Sequence, residues 1–161
     1  MPNKTFLTWE DMEQSVDNIN SKLTKLNFKP DVLICVGRGG MIPTRLLSDY
    51  YLSSEVIFLP YRTYEVGGYS QTKVDPYISI SMIESIINFK NILLVDDISD
   101  SGNTLVRCKK MLQLRATATL KEISIITCTT ISKTIWIPDA AGIILENENW
   151  IVFPWEKKEF K

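Results

Sequence analysis

The run "DVLICV" (residues 31–36) constrains this chain more than any other stretch. A strand with one wet face alternates polar and apolar residues. This one is apolar and rich in β-branched side chains almost throughout, and it stops abruptly at "GRGG", so it needs cover on both faces. The runs "SEVIFL" (54–59), "NILLV" (91–95), "EISIITC" (122–128) and "AGIIL" (141–145) supply further strands. Between them the spacing changes. Thr8 and Asp11 form a capping pattern, and Met12, Val16, Ile19, Leu23 and Leu26 follow at helical intervals, which predicts a helix over residues 9–26. Further helices are expected over 43–51, where proline sits near the first turn, and over 105–114. Strands separated by helices predict an α/β fold built on a parallel sheet, with helices on both faces. At 161 residues and 45% hydrophobic content, the chain suits one domain spanning 1–161.

Composition then removes several functions. Eighteen basic residues face nineteen acidic ones, for a net charge of -1, so nothing draws the whole molecule to nucleic acid or acidic membranes and any anion must be held locally. Cys35, Cys108 and Cys128 are an odd, scattered set without a CxxC pair, which argues against a disulfide framework and a zinc site and fits a reducing cytoplasm. The chain has no histidine. Ser-His and Cys-His nucleophiles and His-ligated zinc are therefore excluded, and acid/base work falls to Asp, Glu, Lys or Tyr. No window approaches the roughly 18 consecutive apolar residues of a spanning helix, and "MPNKTFLTWEDMEQ" lacks the apolar core of a leader, so we expect a soluble, unprocessed chain.

Two loops at strand ends carry the chemistry, because ligands of open parallel sheets collect at the carboxyl ends of the strands. In "DDISDSGNT" (96–104), Ser101, Gly102, Asn103 and Thr104 are small enough for the chain to wrap an anion with its N–H groups inward, and the hydroxyls add donors. Asp96, Asp97 and Asp100 would repel a phosphate unless they face sugar hydroxyls, a magnesium-bound group or a substrate proton. The segment reads as a sugar-phosphate site. In "VGRGGMIP" (36–43) a dinucleotide fingerprint fails because Ile42 stands where its last glycine belongs, and no GxxxxGK[ST] occurs. What is left is Arg38 among Gly37, Gly39 and Gly40: an anion loop whose glycines allow positive φ and close approach, or a tight turn with a solvated arginine.

"ILLVDD" also resembles the opening of a response-regulator receiver domain. That reading is disfavoured, since here the strand lies past mid-chain and neither "ISIITC" nor "GIIL" ends in an aspartate. An ordinary acidic turn is disfavoured too, because acids, glycine and hydroxyls come in one ordered run.

"ILLVDDISDSGNTL" resembles the phosphoribosyl-pyrophosphate (PRPP) signature of type I phosphoribosyltransferases. "GRGG" resembles their pyrophosphate loop, while "NWIVFPWE" and "FLTWEDM" are similar to the C-terminal hood, here near 146–161, and the N-terminus of bacterial xanthine-guanine members. The resemblance implies a purine salvage enzyme that transfers 5-phosphoribosyl from PRPP to a 6-oxopurine (xanthine, guanine or hypoxanthine), using Mg2+. It implies that Ser101, Gly102, Asn103 and Thr104 hold the 5'-phosphate, that Asp96 and Asp97 serve the ribose hydroxyls and the metal, and that Arg38, Gly39 and Gly40 bind pyrophosphate. Asp100 would handle the proton lost by the purine, Trp150 would stack on the base, and backbone groups around Ile151 would read its exocyclic atoms. As neighbours on a strand, Asp96 and Asp97 should point to opposite faces and not form a glycosidase-like dyad.

The irregular segment 61–77 is either a lid over PRPP or a solvated hairpin. Purine members usually carry a lysine just after the strand following the PRPP motif. Here that region reads "ITCTTISKT", so either Lys133 reaches the base or Thr129 or Thr130 substitutes. Trp150 has its own alternative, sealing a sheet edge with Phe153 and Trp155. Partners are expected to be the small-molecule substrates and copies of the chain, as a homodimer or homotetramer. A different class on the same fold, a PRPP- or nucleotide-sensing regulator, lacks the basic face or added segment it would need to bind nucleic acid; a phosphoribosyltransferase for another base is the nearer alternative.

Overall fold

Seven strands and four helices are seen in the computed structural model, which describes residues 3–61, 80–113, 119–128, 137–145 and 149–156. The chain runs β1 (Lys4–Phe6), α1 (Trp9–Lys25), β2 (Val32–Val36), α2 (Met41–Ser48), β3 (Glu55–Leu59), α3 (Ile80–Ile86), β4 (Asn91–Ser99), α4 (Asn103–Gln113), β5 (Thr119–Cys128), β6 (Ala140–Leu145) and β7 (Trp150–Val152). Thr8 starts α1 as the pattern predicts: its hydroxyl accepts from the Asp11 N–H at 3.1 Å while the Asp11 carboxylate accepts from the Thr8 N–H at 2.8 Å. These bonds, the backbone one first, hold the Asp11 carboxyl below the usual carboxylate range. The helix stops where Asn27 turns to φ 50° and the Phe28 N–H reaches back to the Leu23 carbonyl at 3.0 Å.

Five strands form a sheet in the order β3-β2-β4-β5-β6, every pair parallel, so the expected α/β class is borne out. The continuous apolar runs have the double cover they require. Leu33, Leu93 and Val95 pack with Met12, Val16, Ile19 and Leu23 of α1 and Leu47 of α2 on one face. Val32, Ile34, Val36, Ile92 and Leu94 pack with Leu105, Cys108 and Leu112 of α4 and Ile86 of α3 on the other. Each such fully buried side chain contributes about 1.5–3 kcal/mol of transfer free energy, which anchors the β2–β4 pair in the centre of the sheet.

The structure also departs from the sequence-based expectations. β4 runs four residues past Val95, and α4 begins at Asn103, two residues earlier than apolar periodicity suggests. α2 occupies Met41–Ser48 because Gly40 is already helical (φ -68°) and accepts from the Thr44 N–H at 2.9 Å. Helix α3, not expected from the sequence, follows the segment read as irregular; residues 62–79, which hold nearly all of that segment, lie outside the described residues. The largest addition is a separate two-stranded parallel sheet of β1 and β7, which joins the two ends of the chain. Among the described residues no helix is long and apolar enough to cross a membrane.

Candidate active site

β2 lies between β3 and β4, so the chain leaves β2 on one side through α2 and later returns on its other side. In the doubly wound order this is the switch point, where the carboxyl ends of two neighbouring strands part and leave a crevice. "GRGG" follows β2 there and "DDISDSGNT" begins within β4 there. Pairing between β2 and β4 ends at Cys35 with Val95, whereas β4 continues along β5 through Asp96, Ile98 and Ser99. The acids thus stand on the part of β4 that has lost its β2 neighbour. A cleft of about 210 Å3 opens beside them, lined by Val36, Gly37, Arg38, Gly39, Tyr61, Asp96, Asp97, Ile98 and Thr104. A larger groove of about 600 Å3, at Lys29, Asp31, Glu55, Lys90 and Asn91, lies at the amino ends of the strands and holds none of the predicted site residues.

Only Gly37 of the first loop has positive φ, 51°, and a side chain there would also strike the Tyr61 carbonyl oxygen at 2.7 Å. Gly39 and Gly40 do not use the positive φ open to glycine; they are needed for close approach. A Cβ on Gly39 would lie 2.5–2.7 Å from the Asp97 carboxylate atoms, and one on Gly40 would meet the Val36 and Val95 backbone. The turn therefore brings Arg38, exposed and permanently charged, to the mouth of the cleft.

Asp96 is 7% exposed and Asp97 half-buried. Their Cα atoms obey the strand alternation, Asp96 on the face of Ile92 and Leu94, Asp97 on that of Leu93 and Val95 against Gly39. Yet Asp96 feels the charge of Asp97, so the expected separation is incomplete. Burial first, and then the Asp97 charge, push Asp96 well above the usual carboxylate range, although the Asp97 N–H donates to it at 3.0 Å. Burial also raises Asp97; its interaction with Asp96 and the Ile98 N–H, which donates at 2.8 Å, oppose that rise, and the Glu156 charge adds to it. Burial thus disfavours the charged form of both carboxyls, and of Asp96 more strongly.

This pair fits magnesium. A divalent cation would offset the cost of burying these two carboxyls, and as carboxylates they would offer part of the oxygen shell Mg2+ favours, with substrate oxygens and water to complete it. Among the described residues no group of three or more His, Cys, Asp or Glu is gathered to enclose a metal by protein alone.

The rest of the second loop leads into α4 at the other end of the cleft. Gly102 is buried at φ 76°, a conformation that favours glycine, and its carbonyl accepts from the Val106 N–H at 3.1 Å. Ser101 Oγ accepts from the Asn103 N–H at 3.4 Å and from Asn103 Nδ2 at 3.0 Å. Thr104, in the first turn of α4, lines the cleft, so the helix N-terminus and its partial positive charge lie at that wall. Asp100 is exposed just past β4 and is not among the cleft-lining residues. Trp150 and Ile151 lie apart on β7: Trp150 is 57% exposed, whereas the Ile151 side chain is buried in the core under α1. The edge-sealing alternative for Trp150 does not hold, for it is Trp155 that stacks on Phe153 (centroids 4.6 Å apart) and meets Trp9 at 6.0 Å. Lys133, Thr129 and Thr130 lie outside the described residues.

Sequence reasoning quoted Ile98 and Glu156 within motifs and Tyr61 at the start of the candidate lid, but gave none of them a role of its own at the cleft. Only tertiary contact shows that Tyr61 and Ile98 line it and that the Glu156 charge acts on Asp97.

Two strand-end loops and a helix N-terminus thus meet around an acid pair at the switch point of a doubly wound sheet. Residues 2–157 match the phosphoribosyl transferase domain, and the chain belongs to that family. It is 28% identical over 144 residues to the hypoxanthine-guanine-xanthine phosphoribosyltransferase of Tritrichomonas foetus, covering 86% of this chain and 75% of that one. Among solved structures, the purine phosphoribosyltransferase of Pyrococcus horikoshii superposes with a TM-score of 0.72 at 26% identity, over 96% of this chain and 94% of that one. The xanthine-guanine-hypoxanthine phosphoribosyltransferase of Helicobacter pylori gives 0.74 at 25%, over 99% and 97%.

Proposed function

We propose that the chain is a purine phosphoribosyltransferase of purine salvage that transfers the 5-phosphoribosyl group of PRPP to a 6-oxopurine with Mg2+, in the cytoplasm. The observation that carries this reading is the convergence of the Arg38–Gly39 turn, the Asp96–Asp97 pair and the first turn of α4 on one cleft at the β2/β4 switch point. The cleft has a cationic end, a carboxylate middle and a helix-N-terminal end, which matches the pyrophosphate, ribose and 5'-phosphate of one extended substrate.

In the reaction the C1'–oxygen bond to pyrophosphate breaks, a C1'–nitrogen bond to the purine forms, and the nitrogen loses its proton. Arg38 binds the departing pyrophosphate oxygens. Asp96 and Asp97 hold the ribose diol and would hold Mg2+, which when bound supplies charge neutralisation for the leaving anion. The Ser101–Thr104 donors fix the 5'-phosphate, and with it the distance from C1' to the base. Asp100, in the same loop, accepts the purine proton, and Trp150 stacks on the ring. Lys133, Thr129 or Thr130 completes base selection.

The test is pyrophosphate release from PRPP and magnesium with xanthine, guanine, hypoxanthine and adenine offered one at a time. We expect turnover with at least one 6-oxopurine and little with adenine. Silence with all four overturns the purine reading.

A further inference from the structure

The sheet formed by β1 and β7 has a chemical consequence for the hood. The Trp150 N–H donates to the Asn3 carbonyl at 2.8 Å, and the Leu7 N–H donates to the Val152 carbonyl at 3.0 Å. With Lys4, Thr5 and Phe6 opposite Trp150, Ile151 and Val152, this ladder directs the backbone polar groups of Trp150 and Val152 toward β1. Because the strand repeat is two residues, the N–H and C=O of Ile151 face the other edge, which no described strand covers. Side chains alternate as well, leaving Ile151 buried at 8% exposure and Trp150 open at 57%. The hood therefore offers an indole face beside one donor and one acceptor that no described residue engages.

We propose that β1 is the positioning element of the base site: its register selects the Ile151 N–H and C=O as the pair presented to the edge of a purine. The inference rests on the reading of the hood as the base-binding element and adds a function for the N-terminal strand. A slip of one residue would turn the Ile151 groups inward and present those of its neighbours, while moving the indole to the opposite face. The register is pinned at both ends. Asn149 Nδ2 donates to Thr5 Oγ1 at 3.0 Å just before β7, and just after it the Phe153 N–H donates to Glu156 Oε2 at 2.8 Å while the Glu156 N–H returns to the Phe153 carbonyl at 3.0 Å. None of these contacts involves the PRPP loops.

The test compares KM for the purine and KM for PRPP in wild type, Thr5→Pro and Thr5→Val. The register makes the Thr5 N–H the donor to the Trp150 carbonyl, so proline removes a ladder bond, whereas valine removes only the hydroxyl that Asn149 reaches. We expect Thr5→Pro to raise the purine KM about tenfold and Thr5→Val roughly threefold, with the PRPP KM within about twofold in both. A merely structural β1 would move both constants together, and that result overturns the inference, as does an unchanged purine KM in Thr5→Pro. If Thr5→Pro does not fold, Thr5→Val decides in the same way: a shift confined to the purine supports the inference, and no shift overturns it. A wild type that turns over no purine removes the underlying reading along with the inference, whereas wild-type turnover with an indifferent Thr5 removes the inference alone.

Discussion

The PRPP cleft and the hood are built in opposite ways. The cleft stands on β2 and β4, central strands buried on both faces, and its groups come from two short loops that follow those strands. The hood stands on a three-residue strand paired with a second three-residue strand from the other end of the chain, and is held by Phe153, Trp155 and Trp9. A site that must align reacting atoms gains from stiff strands, while one that admits a flat base can rest on a small sheet with an exposed indole. The two regions should therefore fail differently when changed.

The largest effect is expected at the cleft floor. In Gly40→Ala the new Cβ would meet the Val95 carbonyl and lie 2.9 and 3.0 Å from the Val36 nitrogen and oxygen, all backbone atoms that cannot swing away. We expect a loss of about 3 kcal/mol of stability by urea denaturation. A loss below roughly 1 kcal/mol would show that the crevice is softer than the buried strands suggest.

Next comes Asp100→Asn, which should cut kcat by about 100-fold or more while PRPP affinity stays within about twofold, read by single-turnover kinetics and calorimetry. Thr104→Val should do the converse, weakening PRPP binding about tenfold through one lost charge-assisted hydrogen bond of roughly 1.5 kcal/mol. Equal losses of binding in the two variants would remove the proposed division of labour within the loop.

The hood counterpart is smaller. Trp150→Ala should cost about 1 kcal/mol of stacking, or roughly fivefold in the purine KM, with the PRPP KM unchanged. A PRPP effect of similar size would mean that the two regions are not separable.

The smallest effect concerns the thiols under the cleft. Burial, the leading cause in both cases, pushes Cys35 up to about 11 and Cys108 up to about 12. Their folded values lie above the ordinary thiol value of 9.0, so their contribution to stability is complete below that pH and is lost as pH rises through about 11 to 12. Denaturation midpoints should accordingly hold near pH 8 and fall above pH 9, and peptide mapping should find both thiols slow toward iodoacetamide in the folded protein. Rapid alkylation of either at pH 8 would contradict its burial.

Five of the seven strands, three of the four helices, the parallel sheet and the glycine-hydroxyl loop could be read from residue order, because each depends on local signals: apolar runs, a capping box, and glycine beside hydroxyls. Boundaries moved where backbone chemistry outweighed side-chain period, as at Gly40 and at Asn103. The identity of the acids was legible; the burial that disfavours their charge was not, since it depends on how deeply β4 carries Asp96 after β2 has left. Nor could any local signal show that residues 4–6 pair with 150–152, far away in sequence. Three-residue strands carry too little periodicity to announce themselves, and their partners are chosen by the packing of Phe153 and Ile151 into the core under α1. The sequence by itself determined the chemistry available at each strand end. Tertiary structure decided which of those groups meet, because burial, register and close approach are properties of pairs of segments.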